Sequence, residues 1–189
     1  TFVVSEQVLP QLDAFKHVVR SHVSVARAGK IELSVPGEHN QLNAACALEA
    51  ARALGIDDDV SLVALKNFTG VEGRLQFVRE VRGVRIYNDT TATTPDATCA
   101  ALDALGSAHT ILIMGGADKG LDMSKLEVRL PELKKVVRIE QGLEAAVQEA
   151  LSAAVPGDTI LFSPAYASFG MFKNEYDRGD QFSAIVQKL

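Results

Sequence analysis

From Leu75 to Leu189 the sequence keeps one rhythm, in which short apolar runs of strand length alternate with longer segments of helical periodicity. LQFVREV (75–81) and VRIYND (84–89) read as strands on either side of an Arg82-Gly83 turn, a hairpin. After them come helix (96–105), strand HTILIMGG (109–116), helix (122–130), strand KVVRI (135–139), helix (142–153), strand TILFSP (159–164) and helix (174–188). Parallel strands need crossovers, and helices supply them. The pattern therefore specifies an α/β fold with a doubly wound, mostly parallel sheet covered on both faces. In such sheets ligands bind outside the carboxyl ends of the strands. Here those ends are NDTTATTPD (88–96), GGADKG (115–120) and SPAYASFG (163–170), so three loops of small and polar residues are expected to converge on one edge.

The N-terminal third reads less evenly. Residues 5–19 carry a helical pattern broken by Pro10, and SHVSVA (21–26) and KIELSV (30–35) form two alternating runs around Ala28-Gly29, a hairpin expectation. After Pro36-Gly37, His39 or Asn40 is expected to cap a helix running to Gly55, apolar nearly all round and so buried. A further helix, VSLVALKNF (60–68), follows three aspartates that suit its N-terminus. The change of rhythm places a domain boundary near Gly70–Arg74.

Composition narrows the function classes. Net charge is −5 with no long basic run, which argues against a nucleic-acid partner. No stretch reaches the ~18–20 apolar residues of a membrane helix, and TFVVSEQVLP has no secretory pattern. A missing initiator Met makes an upstream segment an expectation. Cys46 and Cys99 lie in alanine-rich helical segments and read as small buried residues of a reducing, cytoplasmic setting. No CxxC or Cys/His cluster offers a metal site, and His17, His22 and His109 stand alone.

Each loop admits two readings. The threonines of NDTTATTPD could offer hydroxyls and N–H groups to an anion, or Thr94 or Asp96 could simply cap the next helix with Pro95 in its first turn. GGADKG lets backbone approach a ligand beside the cation of Lys119, or is a tight turn with an exposed lysine; it has neither GxxxxGK[ST] nor GxGxxG spacing. In SPAYASFGMFKNEYDRG (163–179), Ser168 could hydrogen-bond a carboxylate, or the aromatics could fill core in a packed loop. A nucleophilic Ser168 is disfavoured, since there is no GxSxG and no later histidine. GEHNQLN (37–43) puts His39 and Asn43 one helical turn apart, facing one ligand or merely capping.

Taken in series, G-x-HN-xx-N (37–43), FTG-xxx-R (68–74), ND-xx-AT (88–93), GG-xx-K (115–119) and SPA-x-AS-xxx-FKN-xxx-RG (163–179) resemble the Mur ligase family over about residues 31–189. The last motif resembles its glutamate-adding branch. The resemblance implies a Rossmann-like C-terminal amino-acid-binding domain (74–189), preceded by the tail of an α/β ATP-binding central domain (1–73). It places His39, Asn40 and Asn43 beside the adenine of ATP, Arg74 near its phosphates and Asp89 at the nucleotide edge. Thr93 and Lys119 match residues that hold the incoming α-carboxylate, and Ser168, with an N–H near Glu175, matches the clamp on the side-chain carboxylate. Implied too are ATP and Mg²⁺, an acyl-phosphate mechanism, and D-glutamate joined to UDP-N-acetylmuramoyl-L-alanine in the cytoplasm by a monomer. The phosphate loop and metal ligands are expected upstream of Thr1, so this chain alone is expected to be inactive. Alternatives are an L-glutamate-adding ligase, one adding a dibasic residue, or a non-catalytic binding module. Two departures border the pocket: Thr91 where the family usually has lysine, and Glu175 where an aromatic usually follows FKN.

Overall fold

The computed structural model describes residues 2–11, 23–27 and 29–189. They divide into two compact units, Thr1–Thr69 and Gly70–Leu189.

In the first unit, strands β1 (Phe2–Ser5) and β2 (Val23–Ala26) pair in parallel, with Phe2 opposite Val23. Helices α1 (Glu38–Ala53) and α2 (Asp58–Lys66) follow. Several expectations need correction. Residues 30–35 are not a strand, so the hairpin about Ala28-Gly29 does not form; β2 pairs with β1 instead. The helical pattern of 5–19 falls largely outside the described residues, as do His17 and His22; what is described of it begins as the end of β1 and a turn. Gly37, not His39 or Asn40, stands at the N-cap of α1. Nor is α1 buried all round, because the two-stranded pair gives it one face to pack on: only Ala44, Ala45 and Leu48 are buried. Helix α2 buries no residue.

The second unit carries the sheet. Its strands are β3 (Gln76–Val81), β4 (Val84–Asn88), β5 (Thr110–Met114), β6 (Lys135–Arg138) and β7 (Thr159–Phe162), in the order β3-β4-β7-β5-β6. All neighbours are parallel except the β3–β4 hairpin, whose turn residues Arg82 (φ 52°) and Gly83 (φ 79°) are both left-handed. Such a turn matches the natural twist of paired strands. Helices α3 (Pro95–Leu105), α4 (Ser124–Glu127), α5 (Leu143–Ala153) and α6 (Glu175–Gln187) complete the unit. The helix expected over 122–130 is cut to one turn, and a separate 3₁₀ turn, Leu130–Glu132, follows with Pro131 inside it.

Alternation along the central strands sorts the core into two layers. Ile111, Ile113, Ile160 and Phe162 face α5 and α6, where Val147, Phe182 and Val186 meet them; Phe162 stacks on Phe182 at 4.4 Å between ring centroids. Leu112, Met114 and Leu161 face the other way, onto Leu102 of α3 and Leu126 of α4. Each such side chain contributes about 1.5–3 kcal/mol on burial. Both faces are thus covered, and the fold class expected for this half is the one found. Cys46 and Cys99 are free and half-buried rather than buried.

Candidate functional site

Register fixes where the three loops leave the sheet. Asn88 pairs with Phe162, and Ile113 pairs with the same Phe162, so β4, β7 and β5 end in one row. The loops are then laced together by backbone: Asp89 N–H donates to Phe162 O (2.8 Å), Ala165 N–H to Ala92 O (2.9 Å) and Gly115 N–H to Pro164 O (3.0 Å). Ala117 and Ala167 exchange a pair of bonds at 2.9 and 3.1 Å. The expected convergence on one edge is real.

Asp89 is buried at the end of β4. Its Oδ1 accepts from Leu75 N–H (2.9 Å) and its Oδ2 from the Ser163 hydroxyl (2.8 Å). Burial pushes its pKa up to about 6, against the opposing pull of the Leu75 N–H, the Ser163 hydroxyl and the Arg74 charge. Arg74 itself is exposed.

Of the loop's threonine hydroxyls, most are spent on the protein. Thr90 Oγ1 donates to Glu175 O (2.7 Å), Thr91 Oγ1 donates to Gly73 O (2.9 Å), and Thr94 Oγ1 accepts from Ala97 N–H as the cap of α3 (3.3 Å). The capping reading of Thr94 holds. Only the Thr93 hydroxyl among the four makes no hydrogen bond with the described residues. The Thr93 carbonyl, in turn, accepts from Lys119 Nζ at 2.9 Å, so the lysine and threonine expected to share a carboxylate stand together. Ser168, 3% exposed, leaves its hydroxyl without a hydrogen bond among the described residues; it follows Ala167, the residue bonded to the lysine's loop. Its oxygen is not sealed in: among the described residues the buried side-chain polar atom left without a partner is Ser61 Oγ, so the Ser168 hydroxyl is open to a ligand. At one edge the sheet therefore gathers an ammonium and two hydroxyls with capacity to spare, a donor set for carboxylates.

Sequence reasoning missed Arg178. It is fully buried, donating from Nε to Thr90 Oγ1 (3.1 Å), from Nη2 to Thr90 O (2.7 Å) and from Nη1 to Tyr166 O (3.2 Å). Burial lowers its pKa to about 10, partly offset by Glu175, so it stays charged. It ties the loops after β4 and β7 to α6. The signal was present: Arg178, Phe182 and Val186 recur every fourth residue along the buried stripe of α6.

In the first unit, His39, Asn40 and Asn43 lie in the opening turns of α1. Asn40 Nδ2 donates to Pro36 O (2.7 Å), and Asn43 Nδ2 approaches Asn40 Oδ1 at 3.4 Å.

Residues 73–142 match the Mur ligase glutamate ligase domain. The UDP-N-acetylmuramoylalanine--D-glutamate ligase of Pseudomonas fluorescens is 38% identical, covering 84% of this chain and 40% of the relative; that of Pelotomaculum thermopropionicum is 39% identical, over 84% and 39%. The chain carries a Mur ligase domain. It spans about two fifths of the length of the curated relatives it matches. Among solved structures, the MurF ligase of Thermotoga maritima in complex with ADP superposes with a TM-score of 0.68 at 18% identity, covering 98% of this chain and 54% of that one. Folylpolyglutamate synthase of Mycobacterium tuberculosis, complexed with ADP, gives 0.62 at 17% identity, over 97% and 55%. These likenesses carry the fold.

In this Mur ligase domain the titration of Asp89 has a measurable consequence. An aspartate whose pKa rises from 3.8 to about 6 on folding holds its proton more tightly in the native state. Stability is therefore greatest below the unfolded value and falls as pH rises through 6, by up to roughly 3 kcal/mol. Asp89→Asn keeps an oxygen for Leu75 N–H and turns an amide toward the Ser163 hydroxyl. Its Tm should lack the native protein's decline between about pH 4 and 7; parallel Tm–pH curves for the two proteins would refute the assignment.

Proposed function

We propose that this chain is the amino-acid-binding portion of an ATP-dependent ligase that joins D-glutamate to UDP-N-acetylmuramoyl-L-alanine in peptidoglycan synthesis. On this reading residues 74–189 bind the amino acid, and 1–73 complete a central ATP-binding domain. The observation that carries it is the conjunction at one sheet edge of Lys119, Thr93 and Ser168, whose two hydroxyls make no hydrogen bond among the described residues. The identity to ligases named for D-glutamate supports the choice of amino acid.

Glutamate brings two carboxylates and an amine. Lys119 and the Thr93 hydroxyl take the α-carboxylate, Ser168 takes the side-chain carboxylate, and the amine, left without a protein partner, faces the reacting carbon. Holding both ends fixes the amine's approach, which is worth far more to the rate than affinity alone. The γ-phosphoryl of ATP passes to the terminal alanine carboxylate; the glutamate amine then attacks the acyl carbon, the amide C–N bond forms and phosphate leaves. His39, Asn40, Asn43 and Arg74 are assigned to ATP, with Asp89 fixing the backbone at its edge. Among the described residues no group of three or more His, Cys, Asp or Glu side chains is suited to holding a metal. No described helix is long and apolar enough to cross a membrane.

The test is a competition assay with the full-length enzyme, ATP, the nucleotide-sugar and both glutamate enantiomers. Incorporation of D-glutamate with matching ADP release is expected. Preference for L-glutamate overturns the stereochemistry, and incorporation of some other amino acid overturns the pocket. The 189-residue chain alone, which has no GxxxxGK[ST] sequence, should release no ADP above background.

A further inference from the structure

The Thr91 side chain does not face outward as a donor to a ligand. Its hydroxyl and its own N–H both donate to one acceptor, Gly73 O, at 2.9 and 3.0 Å. The segment so gripped is unusual backbone. Gly73 has φ +71° and Leu75 φ 44°, and a Cβ on Gly73 would meet the Thr90 methyl at 2.8 Å and the Thr91 methyl at 3.4 Å. On the far side of Arg74, Leu75 N–H is held by Asp89 Oδ1 (2.9 Å), while Gly73 N–H donates to Gln76 Oε1 (3.0 Å). Residues on both sides of Arg74 are thus fastened to the loop after β4, and at Leu75 a left-handed conformation that non-glycine residues populate sparsely is imposed. The arginine's own backbone N–H goes to Val71 O (3.1 Å). Little freedom remains in the direction along which its exposed side chain leaves the main chain.

We propose that Thr91 is a positioning residue that fixes Arg74. The residue's hydroxyl is spent on the backbone that aims the arginine. The proposal rests on the reading of Arg74 as a contact of the ATP phosphates. A hydroxyl latch of this kind stabilises the competent geometry by one neutral hydrogen bond, equivalent to a roughly three- to tenfold effect. Valine is the informative replacement, since it keeps the branched shape and removes the hydroxyl.

The experiment compares Thr91→Val, Thr91→Ser, Arg74→Ala and the Thr91→Val/Arg74→Ala double variant in the full-length enzyme. ATP and glutamate KM are measured together with amide hydrogen exchange of the peptide spanning residues 73–75. Thr91→Val should raise the ATP KM about three- to tenfold, leave the glutamate KM within about twofold, and speed exchange of that peptide. Thr91→Ser should restore both readouts. In the Arg74→Ala background, Thr91→Val should add nothing, because residues acting through one another are non-additive. Multiplicative effects in the double variant, a shift in glutamate KM instead of ATP KM, or unchanged exchange would overturn the proposal. An Arg74→Ala enzyme with native ATP KM instead removes the ATP reading itself, a failure distinct from any failure of the latch.

Discussion

Replacing Lys119 by alanine in the full-length ligase should raise the glutamate KM by roughly ten- to a hundredfold while leaving the ATP KM within about twofold. The ammonium already donates to Thr93 O, which holds it over the threonine whose hydroxyl is unspent. An ammonium has three donors, so others remain for a carboxylate, and a charge-assisted contact of this kind contributes roughly 1.5–3 kcal/mol. Lys119 is exposed, so its attraction for a carboxylate is also screened. Raising ionic strength should therefore weaken glutamate binding to the native enzyme more than to the alanine variant. Equal changes in both substrates' KM would return Lys119 to the solvent. So would a glutamate KM that does not move.

How far the sequence anticipated this site depends on which residue is considered. The strand ends after Met114 and Phe162 were legible because buried parallel strands write continuous apolar runs, and that after Asn88 because VRIYN alternates before a polar loop; Gly, Pro and Asp punctuate all three. The pairing of Lys119 with Thr93 came from the family resemblance, and loop convergence alone made it only compatible. What the sequence hid were contacts between loops far apart in the chain. Nothing local indicates that Thr90 and Thr91 exhaust their hydroxyls on Glu175 O and Gly73 O, since a threonine looks the same whether its proton faces ligand or backbone. Arg178 escaped because arginine is ordinarily a surface residue, and only its place on the stripe of α6 argues otherwise. The first unit was read less well. Alternation in KIELSV resembled a strand, but β-propensity records a fit to a half-buried pleated surface, and β1 rather than residues 30–35 takes the place beside β2.

The loop carrying Lys119 is held by a contact that tolerates no side chain, and this gives the largest expected effect on the fold. Gly116 has φ +143°, a conformation that L residues rarely adopt. An added Cβ would lie 2.2 Å from Ala167 O and 3.1 Å from Tyr166 Cβ. The nearest atom is a backbone carbonyl, which cannot swing aside as a flexible side chain could. It is also the acceptor for Ala117 N–H in the pair that ties GGADKG to SPAYAS. Gly116→Ala must then push the two loops apart, break that pair and displace Ser168, the next residue after Ala167. Overpacking costs about 1–3 kcal/mol and the forced backbone roughly 1–2 more. A Tm lower by about 10 °C is expected in a chain of this size. At temperatures where the variant is still folded, its glutamate KM should also rise, because Lys119 and Ser168 no longer keep their separation. A Gly116→Ala protein with native Tm and native glutamate KM would mean that the loops are not held together as described. Loss of stability with an unchanged glutamate KM would leave the fastening in place but remove Ser168 from the pocket.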